Sequence, residues 1–114
     1  MRVGIDIVEV KRINRVIKNK RFLERVYTPS EIKYCEVRRN RAQHYAVRFA
    51  TKEAVWKALE KHTFGKHTIS HRDIGVNNLP SGRPEVTICG KKQKNMDISL
   101  SHTDNYAVAV VVIR

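Results

Sequence analysis

Hydrophobic and polar positions change their period at Glu9. From residue 3 to residue 7, apolar side chains alternate with a glycine and an aspartate, which predicts a short strand. After Glu9, Val10, Ile13 and Ile17 fall on one face of a helix, while lysines and arginines line another. The chain is therefore predicted to begin with a strand and an amphipathic helix. The outer side of that helix is basic. Charged side chains on such a face are also expected when the face is only exposed to solvent and binds no partner.

Two further helices are predicted in the next part of the chain. Thr28 or Ser30, with Pro29 between them, is a suitable N-cap for a short helix. A longer helix is predicted from about Ala42 to about Lys61, because small residues recur there at four-residue spacing and allow close packing on a sheet or another helix. This stripe comprises Ala46, Ala50, Ala54 and Ala58, joined by Val47, Val55 and Leu59, and flanked by Glu53 and Trp56.

The second half of the chain has strand-like patterns. Ile74 and Val76 precede a turn-forming segment, residues 77–84, and Val86 and Ile88 follow it. An apolar run on each side of a segment rich in asparagine, proline and glycine predicts a hairpin.

A second hairpin is predicted to join residues 96–101 to residues 106–113. Both faces of its last strand are apolar, which is typical of a strand buried on both sides, by helices or by another subunit. These elements predict the α+β class, with one small domain over residues 1–114 in which a mainly antiparallel sheet packs against a long helix.

Charge is the distinctive feature of the composition. The 114 residues include 23 Lys+Arg and 11 Asp+Glu, giving a net charge of +12. This excess favours an anionic partner, which would be nucleic acid, a phosphorylated small molecule or an acidic protein. The longest apolar run is too short to span a membrane, and the N-terminus has no signal-peptide pattern. We therefore expect a soluble, cytoplasmic protein without a membrane partner.

The cysteines and three of the histidines do not predict a metal centre. Cys35 and Cys89 are far apart in the sequence, and structural burial explains them better than a disulfide in a reducing compartment. His62, His67 and His71 are spaced loosely like zinc ligands, but no cysteine or fourth histidine lies near them in the sequence. The sequence therefore does not favour a zinc site.

Two carboxylates each allow two interpretations. Asp6 shares a strand face with Gly4 and Val8. Its carboxylate could cap the following helix, which would stabilise the helix by about 1 kcal/mol. Alternatively, it could bind a metal, with Gly4 letting another group approach the backbone closely. Glu53 and Lys57 have the spacing of a surface ion pair worth roughly 0.3–0.5 kcal/mol. However, an acid beside a packing face usually needs a partner, and a Mg²⁺ ion shared with Asp6 would be one.

Several segments together resemble one family. They are GIDIVEVKRI at 4–13, RFATKEAVWKAL at 48–59, SGRP at 81–84 and SLSHT at 99–103. In order and spacing they resemble holo-acyl-carrier-protein synthase, the small 4′-phosphopantetheinyl transferase of fatty-acid synthesis. The specific feature is the pairing of Gly4, Asp6 and Arg12 with Lys52, Glu53 and Lys57.

The resemblance implies a fold, a reaction and a set of residues. The fold would be the 4′-phosphopantetheinyl transferase-like fold, and phosphopantetheine would pass from coenzyme A to a serine of apo-acyl carrier protein, releasing adenosine 3′,5′-bisphosphate. Asp6 and Glu53 would hold Mg²⁺, and Glu53 would also accept the serine proton, either directly or through a metal-bound water. The catalytic set would be Glu53, Lys57 and His102, and the coenzyme A contacts would be Arg48, Lys57, Gly82, Pro84 and His102.

The resemblance also implies two protein partners. An acidic acyl carrier protein would dock on the first helix at Arg12, Arg21, Phe22 and Arg25, with Phe22 as an apolar anchor. The assembly would be a homotrimer with the site between subunits. One departure is the segment KHTFGKH, residues 61–67, where many members have a Gly-Thr-Gly turn and only Gly65 remains here.

Two other functions compete with this one. A basic nucleic-acid-binding module without catalysis would also explain the charge, although no glycine-rich phosphate loop or clustered aromatic RNA-binding signature occurs. A lone histidine such as His102 is more often structural than catalytic. The second alternative is a relative of the family that has lost catalysis and only binds carrier protein.

Overall fold

The computed structural model describes residues 1–78 and 80–114. Four α-helices precede most of the strands: α1 (Val10–Val16), α2 (Lys20–Val26), α3 (Pro29–Glu36) and α4 (Arg41–Ala58), with a 3₁₀ helix at His71–Asp73. The strands are β1 (Arg2–Glu9), β2 (Thr63–Phe64), β3 (His67–Thr68), β4 (Ile74–Asn78), β5 (Pro84–Ile88), β6 (Lys91–Lys92), β7 (Met96–His102) and β8 (Tyr106–Ile113).

The strands form antiparallel sheets, as the sequence predicted. The main sheet has the order β1-β8-β7, a second has the order β4-β5-β6, and β2 pairs with β3. Helix α4 packs on the inner face of the main sheet, where the alanine stripe lies buried. Both predicted hairpins are present as β4–β5 and β7–β8; Leu79, within the first turn, is outside the described residues.

Gly4 lets α4 approach β1 closely. A Cβ atom at Gly4 would lie 1.9 Å from the carbonyl oxygen of Ala54 and 3.0 Å from the Cβ of Ala58. The group that approaches the strand at this glycine is therefore the backbone of α4. This close contact aligns the charged edge of α4 with the inner face of β1.

Helix α4 ends at Ala58, three residues before the predicted end at Lys61. Leu59 is extended, and side chains from elsewhere satisfy the last carbonyl groups of the helix. Arg2 Nε donates to the Ala58 oxygen at 3.0 Å, and a ring nitrogen of His62 lies 2.8 Å from the Trp56 oxygen. These tertiary contacts fix the end, because terminal carbonyls need partners.

Helix α2 was not predicted separately from the first helix. The Asn19 side chain accepts hydrogen bonds from the backbone of Arg21 and Phe22 and so caps a new helix. The N-cap prediction for α3 is confirmed at Thr28, which forms a reciprocal capping box with Glu31.

A buried ion pair connects α3, α4 and β4. Lys52 Nζ lies 2.7 Å from Glu31 Oε1, and both side chains are fully buried. Glu31 also accepts hydrogen bonds from the backbone N–H of Thr28 at 2.7 Å and of Val76 at 2.8 Å. Burial lowers the pKa of Lys52, and the adjacent Glu31 carboxylate opposes that shift. The pair fixes the position of α4 relative to the elements beside it.

The outer face of the main sheet is open in the single chain. Helix α4 covers one face of β8, but on the other face Val3, Ile5 and Ile7 of β1 are 59–65% exposed. Beside them lie the half-buried valines of β8, which are Val108, Val110 and Val112. Within the described chain, therefore, helices cover only one of the two apolar faces of β8.

Replacing Gly4 with alanine should destabilise the fold. The added methyl group has no room against Ala54, and overpacking of this kind costs about 1–3 kcal/mol or more. Urea unfolding at fixed protein concentration measures the change, with Lys94→Ala, at an exposed loop position before β7, as the control. Equal stability of the two variants would contradict the close contact.

Candidate functional site

Asp6 and Lys57 meet where β1 faces α4. The alternation of β1 turns Asp6 to the same side as Gly4 and Val8, toward the helix. Lys57 Nζ lies 3.0 Å from Asp6 Oδ1 and donates to the Ile5 carbonyl oxygen at 3.1 Å. The helix-cap interpretation of Asp6 is wrong, because the N-cap of α1 is Glu9, without a side-chain cap bond. Asp6 instead pairs with the cation of α4.

Glu53 contacts a histidine from the 3₁₀ helix. Its Oε1 lies 3.0 Å from His71 Nε2, and the His71 ring stacks on Phe49 with centroids 5.7 Å apart. The main-chain oxygen of His71 accepts a hydrogen bond from Lys52 Nζ at 3.1 Å. The predicted surface ion pair between Glu53 and Lys57 is therefore wrong: Glu53 contacts His71, and Lys57 contacts Asp6.

Arg48 lies inward, beside a small cavity. It is 4% exposed, its guanidinium lies 4.4 Å from the centre of the Tyr34 ring, and Nη1 donates to the His44 oxygen. Among the described residues, Arg48 Nε has no hydrogen-bond partner. The cavity, about 150 Å³, is also lined by Asn77 and Asn78.

The predicted SGRP segment reaches the edge of this cavity. Pro84 pairs with Asn78 across the β4–β5 ladder, and Asn78 lines the cavity beside Arg48. Gly82 lies in the turn with a φ of 84°, a left-handed conformation that favours glycine. The structure thus places Arg48 and Pro84 on the same side of the molecule.

His102 lies apart from the acidic residues within one chain. It is exposed at the end of β7, and the register aligns it with Ala107, which in turn aligns with Val8 on β1. His102 is thus on the same sheet face as Asp6, roughly 10 Å from β1 across two strand spacings. Among the described residues, no hydrogen bond joins His102 to Asp6 or Glu53.

The residues predicted to bind a carrier protein occupy two helices. Arg12 is exposed on α1, and Arg21 and Arg25 are exposed on α2. Phe22 is half-buried, with its ring centroid 6.1 Å from that of Tyr27 and 6.2 Å from that of Phe49. Much of the Phe22 surface therefore serves packing within the chain.

The acidic pair fits a magnesium ion in its chemistry. Mg²⁺ prefers hard oxygen ligands and is usually bound through one or two carboxylates. Among the described residues, the second carboxylate oxygen of Asp6 and of Glu53 accepts no hydrogen bond. Asp6 lies on β1 and Glu53 on α4, and these two elements pack directly against each other.

Sequence reasoning missed three residues that shape this site. Lys52 was noted only as part of a motif, Glu31 was not considered, and His71 was considered only as a zinc ligand. The three histidines have separate partners: His62 stacks on Trp56, His67 contacts Asp73, and His71 contacts Glu53. Burial is confirmed for Cys35, whereas Cys89 is exposed.

Comparisons with known proteins agree along nearly the whole chain. Residues 2–111 match the model of the 4′-phosphopantetheinyl transferase superfamily. A holo-[acyl-carrier-protein] synthase of Thermodesulfovibrio yellowstonii is 45% identical over 97% of this chain and 96% of the relative. One from Koribacter versatilis is 41% identical over 96% of this chain and 94% of the relative.

Solved structures of the same kind share the fold. The Bacillus anthracis holo-(acyl-carrier-protein) synthase in complex with CoA (3′,5′-ADP) has a TM-score of 0.80 and 31% identity, covering 98% of this chain and 94% of that one. The Helicobacter pylori enzyme with coenzyme A has a TM-score of 0.78 and 33% identity, covering 98% and 99%. These matches confirm the predicted α+β fold. In the described part of the chain, no helix has the length and apolar character to cross a membrane.

Replacing Lys57 with alanine should barely change stability. The Lys57 side chain is 50% exposed, and exposed ion pairs contribute roughly 0.2–1 kcal/mol. Urea unfolding should therefore show a loss of no more than about 1 kcal/mol, similar to that of Lys92→Ala, which removes the exposed pair with Glu85. A loss several times that of the control would make Lys57 a structural residue.

Proposed function

The chain belongs to the 4′-phosphopantetheinyl transferase superfamily and is a transferase of the holo-acyl-carrier-protein synthase type; we propose that it works with Mg²⁺ on coenzyme A. Phosphopantetheine would pass to a serine of apo-acyl carrier protein, and adenosine 3′,5′-bisphosphate would leave. The observation that carries this proposal is that Asp6 of β1 pairs with Lys57 of α4, one helical turn from Glu53 on the same helix. Structural relatives bound to coenzyme A support the donor.

The acids and the lysine have separate tasks in this reaction. Asp6 and Glu53 would hold Mg²⁺, which neutralises phosphate charge and orients the pyrophosphate when bound. Glu53 accepts the proton of the attacking serine hydroxyl, and His71 holds the Glu53 carboxylate in place at 3.0 Å.

Lys57 would serve the phosphates, since its side chain is 50% exposed. A short movement from Asp6 would bring Nζ to a phosphate oxygen, where its charge stabilises the transition state more than the ground state. Lys57→Ala should then lower kcat strongly while keeping its stability. Lys57→Arg should restore kcat only in part, since a planar guanidinium does not reproduce a compact ammonium.

Arg48 and the SGRP turn would form the other end of the coenzyme A site. Asn78 pairs with Pro84 across the β4–β5 ladder. Arg48 Nε has no hydrogen-bond partner among the described residues, and Arg48 lines a cavity together with Asn77 and Asn78. Such donors suit an anionic phosphate. His102, on the same sheet face as Asp6 but distant within one chain, would approach the phosphates of a neighbouring subunit's substrate.

Mass spectrometry tests the reaction and the acidic pair together. Apo-carrier protein incubated with coenzyme A, Mg²⁺ and this enzyme should gain one phosphopantetheine. Asp6→Ala and Glu53→Ala should each nearly abolish the gain while the fold stays intact. The loss of activity in the double variant should be far smaller than the sum of the two single losses, expressed as free energies, because the acids act as one unit.

One control variant and two contradicting outcomes complete this experiment. Glu60→Ala removes an exposed acid just beyond the end of α4 and should transfer normally. Near-normal turnover by either Asp6→Ala or Glu53→Ala would reject the metal assignment. No mass gain with the unaltered protein, together with tight oligonucleotide binding, would favour the nucleic-acid-binding alternative, which the comparisons do not support.

We propose that the exposed arginines of α1 and α2 receive the acidic carrier protein. Arg12, Arg21 and Arg25 are all exposed, and opposite charge across an interface accelerates and orients docking. The part of the Phe22 ring that Tyr27 and Phe49 leave uncovered would contact the carrier protein.

Arg12→Glu should raise the KM for carrier protein much more than the KM for coenzyme A. The effect should weaken with added salt, which screens exposed charges. Lys94→Glu, the same charge change in an exposed loop before β7, is the matched control. If the coenzyme A KM rises instead, α1 belongs to the nucleotide site.

We propose that the open face of the main sheet joins copies of this chain into a homotrimer. Val3, Ile5 and Ile7 are largely exposed beside the valines of β8, and a contiguous apolar patch of this kind marks an interaction surface. The active site would lie between subunits. A cytoplasmic location belongs to the same proposal, and the free cysteines Cys35 and Cys89 suit a reducing compartment.

Ile7→Glu should convert the trimer to a monomer and abolish transfer. Light scattering should give three times the chain mass for the unaltered protein and one chain mass for the variant. Val37→Glu adds the same charge at an exposed apolar residue after α3 and should remain trimeric. A monomeric unaltered protein with full activity would contradict the proposal.

A further inference from the structure

A second group of metal-ligating side chains lies away from Asp6 and Glu53. His67 of β3, Asp73 of the 3₁₀ helix and Cys89 after β5 each offer one ligand atom, and these atoms lie within 4.8 Å of one another. His67 and Cys89 are exposed, while Asp73 is half-buried, so the group is accessible from solvent. A nitrogen, a carboxylate oxygen and a sulfur thus converge from three separate segments.

Hydrogen bonds hold two of these residues in position. Cys89 N donates to the Asp73 main-chain oxygen at 2.8 Å, which places the thiol beside the carboxylate. Asp73 Oδ2 accepts bonds from Ser70 N at 2.8 Å and Ser70 Oγ at 2.9 Å, and it lies 2.9 Å from His67 Nε2. Among the described residues, no hydrogen bond reaches Asp73 Oδ1, which remains available to a ligand.

We propose that His67, Asp73 and Cys89 bind Zn²⁺ or a comparable borderline-soft divalent transition metal. Imidazole, carboxylate and thiolate are all zinc ligands, and three protein ligands leave a fourth position for water. Bond lengths of about 2.0–2.3 Å place ligand atoms roughly 3.3–3.8 Å apart in a tetrahedral site. The side chains of His67 and Cys89 are exposed, so small rotations can close the remaining gap.

This site differs in chemistry from the proposed magnesium site. Thiolate selects softer ions, whereas Mg²⁺ keeps to oxygen ligands, so the two metals should not compete for Cys89. The two sites are connected by the 3₁₀ helix, since His71 at its start contacts Glu53 while Asp73 at its end contacts His67. No ligand is shared between them.

Protection of Cys89 from alkylation tests the proposal on the intact protein. Cys35 is buried and the pKa of its thiol is raised to about 11, whereas Cys89 is exposed, with a thiol pKa that desolvation and the Asp73 carboxylate also raise. Iodoacetamide at alkaline pH, read out separately for each cysteine by mass spectrometry, therefore reports on Cys89. With Mg²⁺ present throughout, equimolar Zn²⁺ should slow alkylation of Cys89 by about tenfold or more, because a metal-bound thiolate is a poor nucleophile. Co²⁺ should give sulfur-to-cobalt charge-transfer absorption that Cys89→Ser lacks.

Matched variants separate the cluster from a thiol acting alone. His67→Gln, an exposed substitution that should not disturb folding, should remove the protection, whereas Asp6→Ala should retain it. No protection by Zn²⁺ in the unaltered protein would overturn the proposal. Equal protection in His67→Gln would overturn it too, since the cysteine alone would then bind the metal. Loss of protection in Asp6→Ala would assign the metal to the catalytic pair instead.

Discussion

The buried ion pair between Lys52 and Glu31 is the constraint on which the site depends. Both side chains are fully buried, and an isolated charge there would be costly. Lys52 Nζ therefore also donates to the main-chain oxygens of His71 and Ile74. Glu31 uses its second oxygen for the backbone N–H of Val76. One ammonium and one carboxylate thus fix α3, α4, the 3₁₀ helix and β4 relative to one another.

In this arrangement one face of α4 packs in the core, while the edge of α4 carries residues of the candidate site. Lys52 points into the protein, and the next residue, Glu53, points to the edge of α4, where His71 meets it. One turn later Lys57 reaches Asp6 on β1. Because Lys52 also holds the main chain of His71, the buried pair positions the residue that orients Glu53. Gly4 completes the alignment by allowing α4 against β1.

The parts of this structure that follow local patterns could be predicted from the sequence. Alternation and four-residue spacing predicted β1, the alanine stripe of α4 and both hairpins, since these patterns arise within one element. The partners of the charged residues could not be predicted that way. Lys57 and Asp6 are 51 residues apart, and His71 and Glu53 are 18 apart, so only tertiary packing brings them together. The resemblance identified the acids and the lysine, but it did not indicate that Lys57 pairs with Asp6 or that His71 contacts Glu53.

A double-mutant cycle on the buried pair tests this account most directly. Lys52→Met should lower the free energy of unfolding by about 3–5 kcal/mol, because it leaves a buried carboxylate unpaired. Adding Glu31→Gln, which removes the charge but keeps an acceptor for Val76, should recover much of that loss. The exposed substitution Lys92→Met should have little effect. Small and additive losses for Lys52→Met and Glu31→Gln would contradict the central place of this pair.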